Sequence, residues 1–93
     1  MFGTEKQEAG LLFKGDNFAV VKKVGDAGDT VEKHNHPTEN IVLAPVKGKV
    51  KITLNETEEH VLTPGAVLHF DGENFIQGEF LEAGEFVVTL VRK

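Results

Sequence analysis

The residues best suited to chemistry in this chain are His34 and His36, separated by Asn35. On an extended strand, residues i and i+2 project to the same face, so the two imidazoles aim at a common point. If that face is an interior, three readings are open. The pair can supply two nitrogen ligands, about half of a tetrahedral shell, to a divalent ion such as zinc, nickel, iron or manganese. Such an ion would polarise a carbonyl or lower the pKa of a bound water. The pair can instead hydrogen-bond a small ligand, or act as acid and base near neutral pH, in a metal-free pocket. Or both rings can be satisfied by backbone carbonyls in a filled interior.

The rest of the composition narrows the choice by exclusion. The chain has no cysteine, which removes disulfides, thiolate metal ligands and a cysteine nucleophile together. A net charge of −5, with lysines set beside acids as in Glu5-Lys6 and Glu32-Lys33, offers no basic face for nucleic acid. No apolar run approaches the roughly 18–20 residues that cross a bilayer, and Met1 to Lys6 lacks a signal-peptide core, so a cytoplasmic location is the expectation. With 93 residues, 40% hydrophobic and 27% charged, residues 1–93 make one globular domain.

The elements that must position the histidines read as short strands cut by turns. Asn17 to Val24 is valine-rich, Lys49 to Leu54 alternates cleanly, and Ile41 to Val46 is strongly apolar. Gly25 to Asp29, Asn55-Glu56 and Thr63-Pro64-Gly65 are breaks, the second a tight turn because asparagine tolerates positive φ. Ala66 to Phe70, Phe75 to Leu81 and Phe86 to Val91 complete six to eight strands, with residues 1–16 an N-terminal arm or an edge strand. No window has a helical period. An all-β sandwich or barrel follows. Phe18, Phe70, Phe80 and Phe86 are expected to fill its core, with Phe75 and Ile76 candidates for the rim of a pocket. His60, near the Asn55 turn, reads as a surface residue.

The segment Gly28 to Pro37, with five residues between Gly28 and His34, resembles the opening half of the first cupin motif: glycine, five residues, His-x-His, three or four residues, glutamate, six residues, glycine. Gly48 and the Leu62-Thr63-Pro64-Gly65 break follow at similar spacing, so the resemblance spans roughly Phe18 to Val91. It implies an all-β double-stranded β-helix, the jelly-roll barrel, and a homodimer, for which an exposed sheet edge is a physical motive. The departures bear on function. Counted forward from His36, the glutamate slot falls on Asn40, with Glu39 one residue early; counted back from Gly48 it falls on Ile41. A bulge near Ala44-Pro45 would absorb the extra residue and keep the forward count, making Asn40 the inward third ligand. In the second motif, counted from Gly65, the proline slot is Asp71 and the histidine slot is Ile76, with Gln77 adjacent. Alternation about Leu68 and Phe70 sends His69 outward.

The expected metal set is therefore His34, His36 and Asn40, finished by water, Glu39 or Gln77, and no catalytic residue is assigned. The resemblance leaves two functional classes: an interior pocket binding a divalent metal or small molecule without catalysis, or a small metal-dependent isomerase, dioxygenase or decarboxylase.

Overall fold

Alternation of apolar and polar residues, with β-branched side chains in most runs, makes each segment a strand with one face to bury. The computed structural model describes residues 2–93. Its strands are β1 (Gly10–Lys14), β2 (Phe18–Gly25), β3 (Thr30–His34), β4 (Glu39–Lys47), β5 (Val50–Leu54), β6 (Glu58–Leu62), β7 (Leu68–Asp71), β8 (Ile76–Phe80) and β9 (Gly84–Arg92). There is no helix among the described residues, and so none long and apolar enough to cross a membrane. Residues 2–9 form no strand or helix, and β1 is an edge strand beside β2.

Two antiparallel sheets face each other. One runs β1-β2-β9-β4-β7 and the other β3-β8-β5-β6. Sequence neighbours thus lie in opposite sheets at several crossings, which is the double winding of a jelly roll. The core between them joins Ile41, Leu43, Phe70 and Phe86 of the first sheet to Val50, Ile52, Ile76 and Phe80 of the second. Phe80 and Phe86 stack across the interface with centroids 5.5 Å apart. Phe18 does not join them: it is 42% exposed, opposite Val91 on the outer side of its sheet. Its strand turns Val21, in the alternate register, inward, and an apolar outer face hid that parity in the sequence.

The hairpin at Asn55-Glu56 forms as its residues dictate. Asn55 and Glu56 adopt φ of 52° and 63°, and the Thr57 N–H donates to the Leu54 carbonyl at 3.2 Å. Two consecutive positive φ values give the turn twist that matches the flanking strands. The expected irregularity in β4 is also present. Pro45 opposes Phe86 and Lys47 opposes Glu85, so Val46 is the extra residue of a bulge.

Candidate functional site

His34 is placed by a second bulge. In the β3–β8 ladder Val31 opposes Gly78 and His34 opposes Ile76, three residues of β3 against two of β8. Without that step Val31 and His34, three apart, would face opposite ways. With it, both line the same cavity. The His34 Nδ1 lies 2.7 Å from the carbonyl of Glu32, within the bulge. A carbonyl only accepts, so Nδ1 is the donor in this contact, and in the neutral tautomer that this sets Nε2 is the acceptor.

His36 is placed by backbone. It lies beyond the end of β3 in a turn where the Glu39 N–H donates to the His36 carbonyl at 3.1 Å. Gly72, just past β7, clamps this turn. The His36 N–H donates to the Gly72 carbonyl at 2.8 Å, and the Gly72 N–H donates to the Glu39 carbonyl at 2.9 Å. The two imidazoles meet edge to face, 4.9 Å between centroids and 89° between planes.

Both rings open on a cavity of about 170 Å3 between the sheets. Its floor and walls include Ile41, Leu43, Ile52, Ile76, Phe70 and Phe86, with Val21, Val31, Val88 and Leu90 around them and Lys23 at the rim. Gly78 helps keep the space open. A Cβ there would lie 3.1 Å from Ile52 Cδ1 and 3.6 Å from Val31 Cβ, against two of the walls.

The expected third ligand is not on this cavity. Ile41, 2% exposed, and Leu43, fully buried, face inward, so Asn40 falls on the outer side of the sheet, between Val91 and Asp71. The β4 bulge exists, but the forward count from His36 fails for another reason. The chain turns between His36 and Glu39, and strand parity does not carry across a turn. The longer, four-residue spacing applies, and the glutamate slot is Ile41. Glu39, on the same strand face as Ile41, brings Oε1 to 3.6 Å from His36 Nδ1. Gln77 alternates away from buried Ile76 and lines a polar groove on the outside of its sheet with Thr53, Lys51 and Glu79. Of the two proposed rim residues Ile76 lines the cavity, whereas Phe75 is exposed under the ammonium of Lys33, 5.3 Å from the ring centroid.

The remaining histidines stand apart. His69 is exposed, opposite Val42 on the outer face. His60 is half-buried rather than free on the surface, and its Nε2 lies 2.6 Å from Glu58 Oε2.

The cavity gathers two imidazoles and no third converging ligand among the described residues. Isoleucine occupies both further ligand slots, and no three His, Cys, Asp or Glu side chains among the described residues converge on one point. Two imidazoles leave at least half of a tetrahedral shell to solvent.

The surroundings of His36 favour its neutral ring. Burial holds His36 below its ordinary value of 6.5, the neighbouring His34 lowers it further, and Glu39 opposes both. A depressed histidine pKa stabilises the fold above the unfolded value, and that contribution is lost as pH falls through the folded one. Thermal unfolding followed by circular dichroism should show a midpoint that falls below about pH 6, and His36→Gln should remove part of that fall. Equal pH profiles for parent and variant would mean that His36 is not desolvated.

Searches of family models and of curated proteins by sequence return no match. Solved structures do match. An RmlC-like cupin from Desulfovibrio desulfuricans aligns over 88% of this chain and 78% of its own, at 18% identity and a TM-score of 0.81. KdgF from Halomonas sp. aligns over 88% and 74%, at 20% identity and 0.78. An RmlC-like cupin with a double-stranded β-helix fold from Methanocaldococcus jannaschii aligns over 99% and 85%, at 17% identity and 0.80. With nine antiparallel strands in two facing sheets and these neighbours, the chain has the double-stranded β-helix fold of the RmlC-like cupins.

Proposed function

We propose that this protein binds a small, largely apolar organic molecule in the cavity between its sheets, without metal-dependent catalysis. The observation that carries the reading is the character of the walls: isoleucine stands in both places where further metal ligands would be needed, and apart from the two histidines and Lys23 every lining side chain is hydrocarbon. An apolar cavity of about 150 Å3 stays dry and accepts benzene-sized guests, so one of about 170 Å3 suits a body of similar size. His34 and His36 then supply hydrogen bonds that orient a polar end.

Benzyl alcohol is a suitable probe, followed by methyl NMR. The expected result is saturable shifts at Ile41, Ile52 and Ile76, with none at the exposed Val61 and Val67. Shifts confined to exposed methyls would overturn the reading. So would zinc, nickel, iron or manganese retained near one equivalent through dialysis and lost in the His34→Ala/His36→Ala variant.

A further inference from the structure

Apart from the histidines, Lys23 is the one polar side chain on the cavity wall. It follows Val21 by two residues on β2, so it shares the inward face, and it opposes Phe86 of β9. It is exposed, and it also borders an open groove outside the mouth, which shares Val31 and His34 with the cavity. Its stem therefore runs along apolar wall while its ammonium reaches the water boundary.

That ammonium has no carboxylate partner. Lys22, Lys33, Lys49, Lys51 and Lys93 each pair with a Glu or Asp, whereas Lys23 forms no ion pair among the described residues. An uncompensated cation in a chain of net charge −5, at the edge of a low-dielectric cavity, attracts one anionic group strongly. The same rim carries carboxylates: Asp29 and Glu32 in the groove, and Glu39 beside His36. Asp29 is engaged, its Oδ2 accepting the Asp26 N–H at 2.8 Å. One free cation among acids suits a monoanion and repels a dianion such as a phosphate monoester.

We propose that the ligand is a small monocarboxylate whose apolar body fills the cavity and whose carboxylate is held at the mouth by Lys23, the residue that sets this specificity. The proposal rests on the reading that the cavity binds a small apolar molecule. Benzoate and benzamide separate the two, being alike in shape and different in charge.

The test is titration of both at pH 7.5, followed at the Ile41, Ile52 and Ile76 methyls, in the parent, Lys23→Gln and Lys23→Arg. The parent should bind benzoate at least about tenfold tighter than benzamide, a preference that falls as salt rises. Lys23→Gln should erase the preference, and Lys23→Arg should retain most of it. If both probes bind equally in the parent, or if the preference survives Lys23→Gln, the carboxylate inference fails and the pocket stands. If neither probe moves the cavity methyls, the pocket reading itself falls.

Discussion

Replacing Ile41 by glutamate and Ile76 by histidine together is expected to turn the cavity into a divalent-metal centre. Both side chains already line it with His34 and His36, so the variant gathers three imidazoles and one carboxylate around one space. That donor set suits zinc, iron, nickel or manganese. Outer-sphere partners alone change metal affinity about 10–100-fold, so two added inner ligands should tighten zinc binding by about 100-fold or more over the parent. The apo variant should suffer, because Ile41 is 2% exposed and a carboxylate there is buried without a partner. Its unfolding midpoint in a chelator should fall by about 10 °C or more and recover when zinc is added. Calorimetric titration and thermal unfolding read both effects. An unchanged zinc affinity would mean that positions 41 and 76 do not converge with the histidines, and the account of the cavity would need revision.

Gly72→Ala should cost about 3 kcal/mol or more, although it adds a single methyl group. A Cβ at this position would collide with the carbonyl oxygens of His36 and Glu39, which are backbone atoms held in the turn that Gly72 itself clamps. A flexible side chain can move aside, but here the clamp must open. Both hydrogen bonds, Gly72 to Glu39 and His36 to Gly72, weaken together, so His36 loses its placement as the fold loses stability. Urea denaturation should show the loss, with Gly3→Ala as the control: nothing lies within 4 Å of a Cβ there, and the expected change is within about 0.5 kcal/mol. Similar stability for the two variants would show that the turn can shift freely.

What the sequence made legible follows from which interactions are local. The Asn55-Glu56 turn, the strand alternation and the bulge after Pro45 depend on neighbours a few residues apart, and their residue types announce them. Inwardness of His34 and His36 was also expected, but by simple i, i+2 parity. The actual causes are a β3 bulge and a backbone clamp from Gly72, thirty-six positions beyond His36 in sequence. The same turn explains Asn40. Counting through it assigns the wrong face, whereas counting back from Gly48 reaches Ile41. Phe18 was misplaced because hydrophobicity alone does not say which side of a sheet a residue takes. Lys23 escaped notice as one lysine among nine, since only the pairing of the sheets reveals that its face is the cavity's.

The bulge between Val31 and His34 has a second consequence, for solubility. β3 is an edge of its four-stranded sheet, with β8 on one side and no strand on the other. A regular edge offers an evenly spaced row of backbone donors and acceptors on which a strand from another molecule can add. An extra residue in mid-strand breaks that spacing and bends the edge, so an incoming strand cannot keep register along it. Glu32 and Lys33, exposed at the irregularity, add charges that such a strand would have to bury. The distortion that aims His34 inward thus also guards the protein against growing into fibrils from this side.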